Sequence, residues 1–151
     1  MRLEPAQLSD LAPTTTVLVA AQLPVAGVHD QFPEAYAVAR DAGSLVGVAG
    51  LQRYGRFGLL RSVAVAEAHR GSGIGRALVT ERLAAGRAVG LEGVYLLTAT
   101  AAQWFFRLGF ERVARPIGPA ELLATPEFVD ACPASADCLL VRFSRGEVSL
   151  P

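Results

Sequence analysis

Apolar and polar positions change their spacing several times along this chain, and each change marks an element. Arg2 to Pro5 reads as a short first strand. Ser9 or Asp10 can cap a helix over roughly residues 10 to 22, which Leu23-Pro24 ends. The stretch to about Pro33 reads as loop or a short helix. Short apolar runs then alternate with turns. Tyr36 to Ala39, Leu45 to Leu51 and Leu59 to Val65 are strand-like; Asp41-Ala42-Gly43-Ser44 and Tyr54-Gly55-Arg56-Phe57-Gly58 separate them. Three strands joined by tight turns should pair antiparallel.

Near Gly75 the period becomes helical. Ile74, Ala77, Leu78, Ala85, Ala88 and Val89 recur mostly at three- and four-residue spacings and form one broad face, and Gly90 suits the helix end. Val94 to Thr98 then reads as a buried strand. A helix between two strands predicts that they run parallel through a right-handed crossover. Ala101 to Leu108 predicts a short helix closed by Gly109, and Phe110 to Val113 another strand. Pro116 to Pro133 should hold one or two short helices, Ala120 to Ala124 among them, before a last strand at Cys138 to Phe143. The class is therefore α/β (α+β), with a mixed sheet. No fixed-period repeat, long charge run or linker-like stretch divides residues 1–151, so one domain is expected.

Composition narrows the function classes. The chain has 151 residues, 52% of them apolar, enough for a sizeable core. Its formal net charge of zero argues against a general nucleic-acid binder. Val17 to Val28 is too short to span a bilayer and is interrupted by Pro24 and Gly27, and no basic segment precedes it. A soluble cytoplasmic protein is the expectation. Cys132 and Cys138 make no disulfide framework, and His29 and His69 lie far from them in sequence, so no metal site is expected.

The chemistry-bearing stretch is Arg70-Gly71-Ser72-Gly73-Ile74-Gly75-Arg76, between a strand and a helix. The first amides of a helix have no partner within it, and the helix dipole adds partial positive charge there. Glycines leave that backbone bare, and Arg70 and Arg76 add charge on either side. The pattern predicts a phosphate cradle built mainly of backbone. It lacks the Lys-Ser/Thr of a P-loop and the spacing of a dinucleotide fingerprint.

Arg70 to Gly75 matches the Arg/Gln-x-x-Gly-x-Gly/Ala motif, and Phe105 to Phe110 resembles a Phe-Tyr-x-x-x-Gly-Phe region. In both respects the chain resembles the GNAT superfamily of N-acetyltransferases. Ala49 to Gly55, Gly58 to Val65, Tyr95 to Thr100, Thr125 to Phe128 and Cys132 to Ala136 look most like the N-acetyltransferases linked to arsenic-resistance operons. The resemblance implies acetyl-CoA as cosubstrate and a primary amine of a small molecule as acceptor, of the class of amino-acid-like toxins or arsenic-related compounds. It implies two parallel strands that splay around the cosubstrate, with the pyrophosphate on Arg70, Gly71, Ser72, Gly73, Ile74, Gly75 and Arg76. The pantetheine arm would lie along Val63, Ala64 and Val65, and Phe105 would line its path. The Val63 N–H would polarise the acetyl carbonyl.

The family's usual tyrosine proton donor falls on Phe105, which has no hydroxyl. Thr100 or water is left for that role, or the thiolate leaves without a dedicated acid; Ser62 could supply a second polar contact to the substrate beside Arg61. The family's frequent glutamate base falls near Arg61 and Ser62. Arg61, in an otherwise apolar strand, either reaches solvent, pairs with an acid, or clamps a substrate carboxylate. Tyr54 and Tyr95 are further pocket candidates, whereas Glu67 and His69 read as surface groups. Two alternatives stand beside the small-molecule enzyme: a non-catalytic acyl-CoA-binding module or sensor, and a protein N-terminal acetyltransferase. Family members often dimerise, and the region after Val113 or the last strand could supply the edge.

Overall fold

The computed structural model describes residues 1–114, 120–125 and 136–143. Among these residues seven strands form one sheet: β1 (Arg2–Pro5), β2 (Tyr36–Asp41), β3 (Ser44–Tyr54), β4 (Phe57–Val65), β5 (Gly93–Thr98), β6 (Glu111–Val113) and β7 (Asp137–Arg142). Their order is β1-β2-β3-β4-β5-β7-β6. Among the described strands only β4 and β5 are parallel, joined through the helix α2 (Ile74–Ala88); the other described pairs are antiparallel. The other α-helices among the described residues are α1 (Leu11–Ala20), α3 (Ala102–Phe106) and α4 (Ala120–Leu123). Among the described residues no helix is long and apolar enough to cross a membrane.

Strand alternation divides the core between the two faces of the sheet. Tyr36 and Val38 pack with Leu18 of α1, while Ala37 and Ala39 pack with Ile74 and Leu78 of α2. On β5, Val94 and Leu96 join Val79 of α2 and Phe105 of α3; Tyr95 and Leu97 join Leu122 of α4. Of the face read on α2, Ile74 and Leu78 pack on the small side chains of β2 and β3, whereas Ala88 and Val89 are exposed and Val79 and Gly86 are buried in their place.

Two details depart from the sequence reading, and a third lies beyond it. The first helix starts with a single 3-10 turn, Leu8–Asp10, and Asp10 gives α1 no side-chain cap. Its carboxylate instead accepts the Gln7 N–H (2.8 Å) and Arg40 Nη2 (2.7 Å), because a buried anion gains more from a cation than from an amide alone. The helix expected over 101–108 is confined to α3. Last, β7 inserts between β5 and β6. Cys138, Leu139 and Leu140 are buried on both faces of the sheet and need an interior slot, whereas β6 carries exposed Glu111 and Arg112 and suits an edge.

Candidate active site

The parallel pair comes apart almost as soon as it forms. β4 and β5 are in register at Phe57–Gly93, Gly58–Val94 and Leu59–Tyr95, and at no later pair. Beyond Leu59, β4 stays attached to β3 and β5 to β7, which leaves a wedge between them. A bulge lies inside this wedge. Gly50 pairs with Arg61 and Val48 with Ala64, so Ser62 and Val63 together face only Ala49. Ser62 has φ +59°, a left-handed conformation uncommon for a non-glycine residue. The extra residue resets the alternation: Leu60 and Val63 pack toward α3, although three positions separate them.

One cavity of about 340 Å³ fills the wedge. β4 contributes Leu60 to Val63, β5 and the following turn contribute Leu96 to Ala101, and Ala21 to Pro24 wall it from the segment after α1. Arg61 is 4% exposed, so it does not reach solvent. Its Nε donates to Ser62 Oγ (3.1 Å) and its Nη2 to the Pro24 carbonyl (3.3 Å). The guanidinium thus orients the serine hydroxyl and holds the neighbouring wall.

A second cleft of about 610 Å³ adjoins the first. Val63, Thr100, Ala101 and Phe105 line both, and Val65, Arg70, Gly75 and Trp104 extend the second toward the glycine turn. There β4 ends at Val65, a 3-10 turn spans Glu67–His69, and α2 begins at Ile74. Gly73 precedes α2 with φ +86°, and a Cβ built on it meets nothing within 4 Å. Glycine is required there by backbone conformation and not by space. The first capping bond of α2 is Ala77 N–H to Gly73 O (3.0 Å), so the amides of Ile74, Gly75 and Arg76 lie ahead of the hydrogen-bonded turn. The Ile74 side chain is buried against the sheet, so Ile74 presents only backbone to the turn. Arg70 folds back to donate from Nε to Val65 O (3.0 Å), and Ser72 Oγ donates to His69 O (2.5 Å); both brace the turn. Arg76 is exposed on the first turn of α2. A Cβ on Gly75 would stand 3.6 Å from Val65 and Trp104 and narrow the cleft by a methyl group. Bare amides at a helix start, flanked by two arginines at the end of a long cleft, fit a pyrophosphate with an extended arm.

The fold brings Arg61, Ser62, Val63, Thr100 and Phe105 together and continues the cleft to Val65 and the Arg70–Arg76 turn. Ala64 lines the second cleft through its backbone position, its side chain being buried toward α1. Phe105 is 7% exposed and makes edge-on contacts with Trp104 (4.8 Å) and Phe110 (5.6 Å). Thr100 is exposed where the cavities meet. Tyr54 is not brought into either lining; its hydroxyl donates to Gln52 Oε1 (3.1 Å) on the same strand. Tyr95 is a core residue packed on Phe57, and burial raises its phenol pKa. Glu67 is exposed, and His69 Nε2 lies 3.2 Å from Asp41 Oδ2. Cys138 is buried in β7, and Cys132 lies outside the described residues.

One participant escaped the sequence reading: the Ala21–Pro24 wall has no motif, because its place comes from where α1 stops.

The sequence matches the family model for the acetyltransferase (GNAT) family over residues 7–110. No curated protein sequence matches at a significant level. Among solved structures, a Mycobacterium tuberculosis protein in complex with CoA and NLQ is similar with a TM-score of 0.81 at 22% identity, covering 95% of this chain and 100% of that one. N-acetylglutamate synthase from Neisseria gonorrhoeae, complexed with coenzyme A and N-acetyl-glutamate, gives 0.82 at 16% identity over 95% of this chain and 35% of that one. Ard1 from Thermoplasma volcanium gives 0.75 at 20% identity, covering 95% and 98%.

Proposed function

The chain belongs to the acetyltransferase (GNAT) family, and from that premise we propose that it moves an acetyl group from acetyl-CoA to the amine of a small, amino-acid-like molecule. The observation that carries this reading is the bulge at Ser62–Val63, set where two adjoining cavities meet in the β4/β5 wedge. The two cavities share Val63 and the walls around it, which offers two reactants one meeting point.

Acetyl-CoA, when bound, supplies the activated thioester. The Ile74, Gly75 and Arg76 amides, with Arg70 and Arg76, would hold its pyrophosphate, and Val63 to Val65 would line its arm. The Val63 N–H is our choice for the donor to the acetyl carbonyl, where negative charge develops; a fixed backbone donor needs no reorganisation. Ser62, oriented by Arg61, is placed to take a hydrogen bond from the acceptor amine. Thr100 is the hydroxyl at the junction available to the departing sulfur. Phe105 excludes water there and gives no proton, a tolerable loss because a thiol is far more acidic than an alcohol.

The volume beside Arg61 supports an acceptor of amino-acid size, and one structural relative holds N-acetyl-glutamate with coenzyme A. Arg61 is the group we assign to orient such an acceptor. Arsenic-containing amino-acid analogues belong to the same proposed class, on the sequence resemblance alone.

Thiol release from acetyl-CoA across a panel of free amino acids and analogues tests the reading. Turnover with at least one of them is the expected result. CoA binding without turnover on any amine would favour a non-catalytic acyl-CoA-binding module.

A further inference from the structure

We propose that Gln52 positions the segment Leu23–Asp30 over the acceptor cavity and thereby restricts the acceptor to free small amines. This rests on the reading of that cavity as the acceptor site.

Residues between α1 and β2 form turns without helix or strand, so their place depends on side chains beneath them. Gln52 provides the central attachment. It is 1% exposed, in the middle of the sheet opposite Leu59. Its Nε2 donates to Gly27 O and Asp30 O, both at 3.0 Å, and lies 3.3 Å from Tyr36 Oη. Its Oε1 accepts the Tyr54 hydroxyl. Two carbonyls on one side fix the nitrogen there, so the amide orientation follows from its partners. Arg61 holds the start of the segment through Pro24 O, and exposed Gln31 exchanges two bonds with the Arg53 backbone, at 3.2 and 2.8 Å.

A fully buried amide is an unfavourable choice for a strand interior unless its bonds serve something. Here they fix Gly27 and Asp30, which follow directly on the Ala21–Pro24 wall of the cavity. An acceptor that continues as a polypeptide needs room past its first residue. Beside Arg61 that room is taken by Leu23 and Pro24, three residues ahead of the first carbonyl that Gln52 holds. Loosening the attachment should admit longer acceptors and weaken the hold on short ones.

The test uses Gln52→Glu, a carboxylate of the same shape that cannot donate to the two carbonyls, and Gln31→Ala, which cuts an exposed attachment of the same segment. We expect amide hydrogen exchange over residues 22–32 to accelerate at least about tenfold in Gln52→Glu, which loses both bonds to the carbonyls, and less in Gln31→Ala. CoA affinity by calorimetry should be unchanged. The ratio of kcat/KM for short peptides to that for free amino acids should rise about tenfold on the same grounds, with the loss on free amino acids falling on KM and not on kcat. Unchanged exchange in both variants overturns the positioning role. Faster exchange with an unchanged ratio overturns the selectivity. A wild-type protein that acetylates neither class sinks the acetyl-transfer reading and the selectivity with it, whereas the exchange result still judges Gln52. Should Gln52→Glu fail to fold, Gln52→Met, close in size and without an N–H to donate, decides by the same two readouts.

Discussion

Leu59 and Tyr95 are the last residues at which β4 and β5 remain in register, and both candidate reactant cavities open beyond that pair. The parting unravels neither strand, because Leu96 still pairs with Leu139 and Leu97 with Cys138, while Leu60 and Arg61 still pair with β3. A sheet normally satisfies its backbone on both sides of an interior strand. Here one side is given up over several residues, and the bulge falls in that gap.

Gly50 keeps the bulge region closed from behind. It pairs with Arg61, and a Cβ on it would stand 2.4 Å from the Tyr36 ring. Tyr36 is itself 1% exposed and has little room to yield. Gly50→Ala should destabilise the fold by about 1–3 kcal/mol, as overpacking does. Urea denaturation checks this, and a midpoint equal to wild type would show that the ring moves freely.

Gly73→Val tests the cradle. A β-branched residue is strained at φ +86°, although the site is open. The turn is exposed, so the fold should survive while the amides of Ile74 and Gly75 lose their alignment. We expect CoA affinity to fall at least about tenfold, the equivalent of ~1.4 kcal/mol. Unchanged affinity by calorimetry would sink the cradle assignment.

Arg61→Ala removes both the orientation of Ser62 and the tie to Pro24. The expected result is a raised KM for the amine with CoA affinity retained. Arg61→Lys should recover little, because a point charge cannot reproduce two separate N–H directions. Equal loss of amine and CoA binding would indicate a purely structural arginine.

Acid stability should depend on Arg40, which bridges Glu4 and Asp10. Burial works to raise the Asp10 pKa, but hydrogen bonds from Arg40 and the Gln7 N–H outweigh it and leave the group lowered. The Arg40 hydrogen bond also lowers Glu4. Both carboxylates therefore release protons more readily in the native state than unfolded. Their contribution is present above the ordinary carboxylate range and is lost as pH falls through the depressed native values, below about pH 4. Arg40→Met should move acid unfolding to higher pH. At neutral pH it should cost roughly 1–3 kcal/mol for leaving Asp10 buried without its cation. Denaturation midpoints measured from pH 3 to 7 would check both.

The elements themselves were legible in the sequence, because apolar periodicity and turn glycines act over a few residues. Leu45 to Leu51 and Leu59 to Val65 lie within β3 and β4, and Ile74 to Ala88 forms α2. The strand–helix–strand order also carried the parallel pairing of β4 with β5. The glycine turn was visible for the same reason, since one segment supplies its conformation, its amides and its arginines.

What the sequence could not decide is what meets across the fold. By itself it determined the secondary elements and the bare backbone at residues 70–76, features set by local sterics and spacing. Only the tertiary structure placed β7 between β5 and β6, stopped the β4/β5 pairing at Leu59, and buried Arg61 between Ser62 and Pro24. It also put Gln52 beneath Gly27 and Asp30, more than twenty residues away along the chain. Those outcomes depend on which side chains exhaust one another's hydrogen bonds and fill one another's volume, and that is settled when the sheet closes and not residue by residue.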